Sequence, residues 1–595
     1  MSETGASGSN PAAKGKSALN DWVRALEATA QIPKQPTVTL PTLIGDLAGR
    51  FGDAPALLSD RESLSYRQLA ERVNRYANWA LAQGIGRGDV VALLMADGPE
   101  YLAVWLGVTR VGAVVALLNP SLAGDALAHA ITVAGAVGVV AGQEFADRIR
   151  EILPRLTAQL KCWSSGGSAP GFSELDLDEI SGEPPDCPPP RISDRALCIY
   201  TSGTTGLPKA ANVSHYRIMQ WCYWFAGLLD TKPHDRMYNC LPLHHSVGGI
   251  VAVGSVLVNG GSVVLPGRFS ASRFWDDIVR WDCTLFQYIG ELCRYLVNTP
   301  PHPKETAHRI RLCAGNGLAG DVWPRFQSRF NLPRILEFYA ATEGSFSLYN
   351  VEGEPGSIGR IPPFLRHRFP VALAKFNVDA EQPVRGPDGL CIRCGPGEAG
   401  EALGLIAESA GRFEGYTDPQ ASKKKVLRDV FAPGDAWFRT GDLMRRDERG
   451  FFYFVDRIGE TYRWKGENVS TTEVAAVIAT CPGVLETVVY GVRIPGADGR
   501  AGMAAITVSA GFDAAALRQH LAERLPEYAR PLFLRIRNEI EATATFKPKK
   551  QDLMAQGYDP AATAEPIYFN DRTSDAFIPL DQPLYEQISP GDLKL

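Results

Sequence analysis

The chain has 595 residues, of which 45% are hydrophobic and 21% charged, a composition typical of globular proteins with more than one hydrophobic core. Its 61 basic and 66 acidic residues give a net charge of −5, so charge provides no argument for a nucleic-acid partner. The longest apolar stretches, residues 103–118 and 248–265, are interrupted by an arginine or by glycines, and the sequence predicts no transmembrane span. Eleven scattered cysteines are typical of reduced thiols in the cytoplasm.

Residues 1–35 are predicted to form a disordered tail, because the sequence up to Gly15 is rich in Ser, Gly, Ala and Lys and has no apolar core. A large domain is expected over residues 36–456. Ser65 is a candidate cap for its first long helix. Helix-like and strand-like stretches then alternate, at residues 66–84, 90–95, 99–111 and 113–118. This alternation predicts a parallel sheet with crossover helices.

A short loop from Tyr200 to Lys209 combines hydroxyls, glycines and a terminal lysine. An apolar, strand-like run precedes the loop, and a helix-like stretch follows from about Ser214. The glycines let backbone N–H groups converge on an anion, the hydroxyls donate, and the lysine adds positive charge. The loop therefore has the parts needed to hold a polyphosphate, and the expected contacts are Thr201, Ser202, Gly203, Thr204, Thr205, Gly206 and Lys209.

The loop lacks the spacing of a Walker A motif. It resembles the phosphate loop of the adenylate-forming superfamily, which includes acyl-CoA synthetases, luciferases and peptide-synthetase adenylation domains. The resemblance implies an α/β fold with a large N-terminal domain of parallel-sheet α/β subdomains plus a β-barrel-like subdomain. It also implies a small, mobile α+β C-terminal domain.

Two motifs of the large domain extend this resemblance. In Tyr339-Ala-Ala-Thr-Glu343, the resemblance implies that Tyr339 stacks on adenine, Thr342 contacts the α-phosphate and Glu343 holds Mg²⁺. The glycine-rich stretch 314–318 could let a flat base approach the backbone, and a plain turn is the alternative; its candidate contacts are Gly315, Asn316 and Gly317.

Three further residues complete the predicted nucleotide site. Asp442, in Arg439-Thr-Gly-Asp442, resembles the family carboxylate that accepts hydrogen bonds from the ribose, and Arg457 resembles an arginine that also reaches the nucleotide. Lys547 is the best match to the family's catalytic lysine, although Phe546 replaces the usual glycine. Lys549 and Lys550 are less favoured, and a solvated basic run is the alternative.

The small domain is predicted over residues 457–595, with a hinge near Gly459 and a capping box at Ser470. The family rotates this domain between its two half-reactions, and a glycine tolerates the backbone change. Here the glycine replaces the charged hinge residue common in the superfamily. The resemblance implies that the pantetheine of CoA is lined by Lys465, Gly466 and Glu467.

Several strings are more particular than the superfamily signature. The most specific is Arg463–Val474, and others include Lys423–Val426, Val492–Met503 and Phe577–Tyr585. Together they resemble the fatty acid transport protein group of long-chain and very-long-chain acyl-CoA synthetases, over nearly the whole chain.

The acyl pocket is harder to read. In Leu241–His245, His245 is the better match to a residue that flanks the acyl carboxylate, and a structural histidine pair is the alternative. Tyr288 and Gly290 are predicted to face it, with Gly290 opening space for the chain.

The expected function is ATP-dependent activation of a long-chain or very-long-chain fatty acid to an acyl-adenylate, followed by transfer to CoA, with ATP, Mg²⁺ and CoA as cofactors. The alternatives are a ligase for another bulky carboxylate such as a bile acid, a fatty acid uptake protein at a membrane surface, and acyl transfer to a carrier protein. A cytoplasmic location is expected, with peripheral contact at the inner membrane face left open.

Overall fold

The computed structural model describes residues 18–157, 159–202, 207–378, 380–407, 413–465, 467–495, 499–541 and 550–588, with only the backbone at 202 and 551. In chain order its α-helices are α1 (Ala18–Thr29), α2 (Leu40–Phe51), α3 (Tyr66–Ala82), α4 (Pro99–Arg110), α5 (Gly124–Ala134), α6 (Ala146–Ile152), α7 (His215–Leu229), α8 (Ala252–Leu257), α9 (Phe274–Arg280), α10 (Gly290–Asn298), α11 (Val322–Arg329), α12 (Pro419–Lys424), α13 (Thr471–Ala479), α14 (Ala514–Arg524), α15 (Lys550–Gln556) and α16 (Gln582–Ile588).

The strands of the large domain are β1 (Pro55–Leu58), β2 (Ser63–Ser65), β3 (Val90–Leu94), β4 (Val114–Leu117), β5 (Gly138–Gly142), β6 (Lys161–Ser165), β7 (Ser173–Glu174), β8 (Arg195–Ser202), β9 (Pro208–Ser214), β10 (Arg236–Asn239), β11 (Ser262–Val264), β12 (Leu285–Ile289), β13 (Leu312–Asn316), β14 (Ile335–Ala340), β15 (Ser347–Asn350), β16 (Val371–Asn377), β17 (Gln382–Pro383), β18 (Ala399–Leu405), β19 (Val426–Arg428), β20 (Ala436–Arg446) and β21 (Phe452–Arg457). The strands that follow are β22 (Tyr462–Trp464), β23 (Glu467–Val469), β24 (Val484–Val492), β25 (Ala501–Val508), β26 (Phe533–Arg537), β27 (Ile567–Asp571) and β28 (Ala576–Pro579).

Two largely parallel sheets form the α/β part of the large domain. One has the order β7-β6-β5-β3-β4-β8-β9, with only the β8–β9 pair antiparallel, and the other has the order β15-β14-β13-β12-β10-β11-β1-β2, with an antiparallel pair at each end. A shared core joins them, since Leu93 of the first sheet and Met237 of the second belong to one buried cluster. The predicted parallel sheets with crossover helices are confirmed.

A third sheet of the large domain is antiparallel throughout, with the order β17-β16-β18-β20-β19 and with β21 also paired to β20. It forms the half-barrel that corresponds to the predicted barrel-like subdomain. The predicted site segments follow the carboxyl ends of β8, β10, β12, β13 and β14, which is where open α/β sheets bind ligands.

The residues after β21 have their own core. Strands β24 to β28 form one sheet in sequence order, and their buried side chains cluster with Tyr462 and Ile588. The predicted cap of α13 is confirmed, because the Glu473 backbone N–H donates to the Ser470 hydroxyl oxygen at 3.1 Å. The cap of α3 is confirmed as well, since the Gln68 N–H donates to Ser65 Oγ at 3.2 Å.

The predicted tail is wrong over residues 18–35, because helix α1 lies there and packs on helix α7. The Trp22 ring lies 5.9 Å from that of Trp224. A Cβ at Gly227 would come within 2.4 Å of the Ala25 Cα, so the two helices approach closely. The tail prediction failed because these residues find their apolar partners some 200 positions away in the chain. Residues 1–17 lie outside the described part.

Candidate functional site

The phosphate loop is bounded by the antiparallel pair β8 and β9, in which Thr201 lies opposite Lys209. The Thr201 side chain hydrogen-bonds the hydroxyl of Tyr416, which lies shortly before α12, so this tyrosine contacts the start of the loop. Gly203, Thr204, Thr205 and Gly206 of the loop, the Ser202 side chain, and Gly466 and Lys547 of the small domain lie outside the described residues. Their roles remain predictions.

Glu343 lies at the centre of a small polar cluster. It follows β14, is only 7% exposed, and its Oε1 accepts a hydrogen bond from the Tyr416 hydroxyl at 2.7 Å. The Lys425 Nζ lies 3.7 Å from the same oxygen. Burial and the neighbouring carboxylate raise the pKa of Tyr416, so its hydroxyl stays a donor at neutral pH. The arrangement holds one carboxylate beside a cation, next to the strand that leads into the phosphate loop.

Thr342 is tied to the segment that follows β10. Its hydroxyl lies 3.2 Å from the Ser246 hydroxyl, and its carbonyl oxygen accepts a hydrogen bond of 2.7 Å from the Arg217 Nη1. The buried Arg217 also donates to the Gly344 carbonyl, at 3.0 Å. One guanidinium on α7 therefore fixes the backbone on both sides of Glu343.

Tyr339, Asp442 and Arg457 meet where the second parallel sheet contacts the half-barrel. The Tyr339 hydroxyl donates to Asp442 Oδ2, and the Arg457 Nε lies 3.7 Å from Asp442 Oδ1. Asp442 and Arg457 are directly opposed on β20 and β21. Tyr339 is more than a hundred positions from Asp442 and Arg457 in the sequence, and the structure brings the three residues together.

The sequence analysis did not single out Lys425 and Tyr416, which contact Glu343, or Arg217 and Ser246, which contact Thr342. The Lys425 Nζ donates to the Thr440 carbonyl at 3.2 Å and lies 5.6 Å from the centre of the Phe438 ring. Lys425 lies within the Lys423–Val426 string that carried part of the family resemblance, but the string does not show which lysine points inward.

The glycine-rich stretch 314–318, at the end of β13, donates backbone hydrogen bonds to a buried carboxylate, Glu337. The Gly317 N–H donates to Glu337 Oε1, as does the Leu318 N–H at 3.1 Å, while the Tyr288 hydroxyl donates to Oε2 at 2.6 Å. Burial raises the pKa of Glu337 to about 8. Asn316 also belongs to this stretch, and its buried amide oxygen has no hydrogen-bond partner in the part of the chain that the structure describes.

Two predicted acyl-pocket residues support this stretch. Tyr288 has no exposed surface, its hydroxyl is held by Glu337, and a Cβ at Gly315 would lie 2.3 Å from its carbonyl oxygen. A Cβ at Gly290 would lie 1.8 Å from the Gly317 carbonyl oxygen. Tyr288 is fully buried, and Gly290 allows a close backbone contact. Their expected places beside the acyl chain stay predictions.

The histidine pair after β10 lies with its rings 4.3 Å apart. His244 is 4% exposed, neither of its ring nitrogens has a hydrogen-bond partner among the described residues, and burial lowers its pKa to about 2. It is therefore neutral at physiological pH. His245 is half-buried beside it, and its contact with an acyl carboxylate stays a prediction.

Lys465 and Glu467 are exposed; Lys465 follows β22, and Glu467 is the first residue of β23. Burial and the charge of Arg572 lower the pKa of Lys465, while Glu527 raises it. Those two charged neighbours belong to the same domain as Lys465. The role of Lys465 and Glu467 in CoA binding stays a prediction.

Among the described residues no group of three or more His, Cys, Asp or Glu side chains could hold a metal ion. A single buried carboxylate, Glu343, fits Mg²⁺, which usually takes one or two carboxylates and completes its shell with phosphate oxygens and water. Within the same part of the chain, none of the helices combines the length and apolar character needed to cross a bilayer.

The fold of two parallel sheets, a half-barrel and a smaller C-terminal unit is that of an adenylate-forming enzyme, and family comparison gives the same class. The family described as AMP-binding enzyme matches residues 46–389, and the family of its C-terminal domain matches residues 473–547. Adenylate-forming enzymes use ATP and Mg²⁺, and their CoA ligases also use CoA.

The chain is 40% identical to the long-chain fatty acid transport protein 1 of Mus musculus over 570 residues, 94% of this chain and 88% of that protein. It is 41% identical to the human long-chain fatty acid transport protein 3 over 521 residues, 85% of this chain and 76% of that protein. The chain therefore belongs to the AMP-binding enzyme family and, within it, to the long-chain fatty acid transport protein group.

Solved structures share the fold. The anthranilate CoA ligase AuaEII in complex with anthranoyl-AMP superposes with a TM-score of 0.76 at 21% identity, covering 90% of this chain and 98% of that one. A fatty acyl CoA synthetase of Mycobacterium tuberculosis superposes with a TM-score of 0.61 at 23% identity, covering 87% of this chain and 98% of that one.

Proposed function

We propose that this protein is an AMP-forming long-chain fatty acid–CoA ligase. The observation that carries the proposal is the meeting of Glu343, Tyr416 and Lys425 beside the strand that enters the phosphate loop. The pair Asp442 and Arg457 lies next to Tyr339 in the same domain and supplies groups suited to a ribose and a phosphate.

In the first half-reaction a fatty acid carboxylate oxygen attacks the α-phosphorus of ATP, and the bond to pyrophosphate breaks. Two anions must approach each other, so the site has to place positive charge between them. Lys425, Lys209 and Lys547 are the protein cations proposed for this task. Glu343 would hold Mg²⁺, which when bound neutralises charge on the phosphate oxygens.

In the second half-reaction the CoA thiolate attacks the acyl carbon and AMP leaves. We assign the approach of the thiol to the turn that contains Lys465, Gly466 and Glu467. Gly459 supports a change of domain orientation between the steps, because its φ of +88° is strained for other residues and a Cβ there would meet nothing within 4 Å.

A long acyl chain is proposed because both compared relatives are named for long-chain fatty acid transport. Each buried methylene contributes about 0.8 kcal/mol, so a sixteen-carbon chain could contribute on the order of 10 kcal/mol to binding.

Within the described residues all the cysteines are free thiols, which supports the proposed cytoplasmic location, with peripheral contact at the inner membrane face as the alternative.

The test is ATP–pyrophosphate exchange with a series of fatty acids of graded length, followed by CoA-dependent release of AMP. We expect exchange to rise with chain length into the long-chain range. Activity limited to bile acids or other bulky carboxylates would replace the substrate assignment. Fatty acid uptake into liposomes without ATP, and with no exchange for any acid, would favour the uptake function suggested by the relatives' names.

A further inference from the structure

The segment 414–417 pairs with β9, the last strand of the first parallel sheet. Its Thr417 N–H donates to the Ala210 carbonyl oxygen at 2.9 Å, and the segment runs antiparallel to β9. Side chains two positions apart in an extended segment lie on the same side. Glu414 and Tyr416 are such a pair, and both reach groups outside their own segment.

The Glu414 carboxylate binds the start of α7. Its Oε2 accepts a hydrogen bond from the Ser214 N–H at 2.7 Å, and its Oε1 accepts one from the Ser214 hydroxyl at 2.6 Å. The Arg217 Nε lies 3.6 Å from Oε1, and the Arg217 and Glu414 side chains are only 9% and 13% exposed. A buried carboxylate needs partners of this kind to remain ionised. Glu414 therefore fixes the first turn of α7 and the guanidinium that α7 carries.

Arg217 extends this connection to Glu343. Its Nη1 donates to the carbonyl oxygens of Thr342 and Gly344, the residues immediately before and after Glu343. Burial lowers the pKa of Arg217, while the charges of Glu414 and Glu343 oppose this shift, and the guanidinium stays charged at neutral pH. One buried cation therefore restrains the backbone on which the Glu343 carboxylate is mounted.

The segment 414–417 thus acts on Glu343 by two routes. Tyr416 donates to the Glu343 Oε1 at 2.7 Å and holds the carboxylate, whereas Glu414 acts through Arg217 on the backbone. Mg²⁺ demands near-ideal octahedral geometry, so the placement of a carboxylate ligand determines how well the ion binds.

We propose that Glu414 and Arg217 are positioning residues for the divalent cation, holding the Glu343 backbone so that its carboxylate is in place before Mg²⁺ and ATP arrive. This inference rests on the proposed function, because that function assigns Mg²⁺ to Glu343. The expected consequence of losing the clamp is weaker cation binding, with little change in the affinity for the fatty acid.

The test compares Arg217→Met, Arg217→Lys and a double variant that adds Glu414→Gln to Arg217→Met. The double variant also removes the carboxylate charge that Arg217→Met leaves buried, so it carries the comparison if the single variant folds poorly. In ATP–pyrophosphate exchange, the Mg²⁺ concentration for half-maximal rate should rise about tenfold in Arg217→Met and in the double variant. Arg217→Lys keeps the charge but not the planar fork, and about a threefold rise is expected. The KM for the fatty acid should stay within about twofold of the wild-type value.

The matched control is Arg329→Met. Arg329 has the same kinds of partner away from this site, since its Nη1 donates to the carbonyl oxygens of Val297 at 2.8 Å and Thr299 at 2.9 Å, and its Nη2 donates to Glu305 at 2.8 Å. Its loss should lower stability without changing the Mg²⁺ requirement. A rise in the Mg²⁺ requirement of Arg329→Met equal to that of Arg217→Met would show a general loss of stability and overturn the proposal.

ATP binding without fatty acid, measured by calorimetry over a series of Mg²⁺ concentrations, provides a readout besides activity. The Mg²⁺ concentration for half-maximal ATP binding should rise about tenfold in the double variant and stay unchanged in Arg329→Met. The same Mg²⁺ dependence in the wild type and the double variant would refute the positioning role. A wild-type protein that binds ATP with Mg²⁺ but shows no exchange with any acid would instead refute the proposed ligase function.

Discussion

The proposed nucleotide end and the proposed acyl end of the site differ in the groups that form them: polar side chains at the first, packed backbone at the second. At the proposed nucleotide end, charged and hydroxyl side chains from segments far apart in the chain meet, as Glu343 does with Tyr416 and Lys425. At the proposed acyl end, the Gly290 backbone packs on that of Gly317, which belongs to the stretch predicted to contact the base, and the buried Glu337 accepts from this stretch. Substitutions at the nucleotide end should therefore change the rate of adenylation. Substitutions at the acyl end should change the stability of the protein and the shape of the pocket.

The largest effect is expected for Lys547→Ala. Removing one preorganised charge at a phosphoryl-transfer site typically costs about 10²–10³ in rate. Adenylation, measured by pyrophosphate exchange, should fall by about this factor, while thioester formation from supplied acyl-adenylate is largely kept. Lys549→Ala is the matched control and should retain exchange. A loss of the same size in both half-reactions would contradict the assignment of Lys547 to the first step.

A second test of the nucleotide end is Glu343→Gln, which keeps the shape of the side chain but removes the charge needed by a divalent cation. We expect exchange to fall about a hundredfold at saturating ATP, with a higher Mg²⁺ concentration needed for half-maximal rate. Tyr416→Phe leaves the carboxylate in place and removes one hydrogen bond to it, so its loss should be about tenfold. Similar losses in both variants would mean that Glu343 acts only as a partner of Tyr416.

At the acyl end, Gly290→Ala should act mainly on stability, because the new Cβ would lie 1.8 Å from the Gly317 carbonyl oxygen. Overpacking of this kind costs about 1–3 kcal/mol. Gly45→Ala is the control: Gly45 lies inside α2, where a Cβ meets nothing within 4 Å, and helix propensity should stabilise that variant by up to about 1 kcal/mol. Urea unfolding of both variants checks this, and equal stabilities would refute the close contact.

A smaller effect is expected from Glu337. Its carboxyl has a pKa of about 8 when folded and 4.5 as the reference value, so between these values the folded state keeps a proton that the unfolded chain has lost. The free energy of unfolding should therefore fall as pH rises through this window. Glu337→Gln should show a weaker pH dependence over the same window, measured by urea unfolding at several pH values. An unchanged slope would mean that Glu337 is ionised in the folded protein.

The sequence indicated most residues of the proposed nucleotide end, because these residues lie in short strings. Tyr339, Thr342 and Glu343 lie within five residues, and Asp442 and Arg457 are each marked by their own motif. Tyr416 and Lys425 could not be found in this way, because a tyrosine or one lysine of three carries no local signal. The acyl end was predicted less well, since Tyr288 and Gly290 are defined by what packs against them.

By itself the sequence determined the alternation of helices and strands, the helix caps at Ser65 and Ser470, and the residue types of the phosphate loop, since all of these depend on neighbours within a few positions. Only the tertiary structure decided that α1 is ordered against α7 and that Glu343 is paired with Lys425. It also decided that Lys550 is paired with Glu460, ninety positions earlier in the chain. Burial and charge pairing depend on distance in space, and residues far apart in the chain become neighbours only when the sheets have packed together.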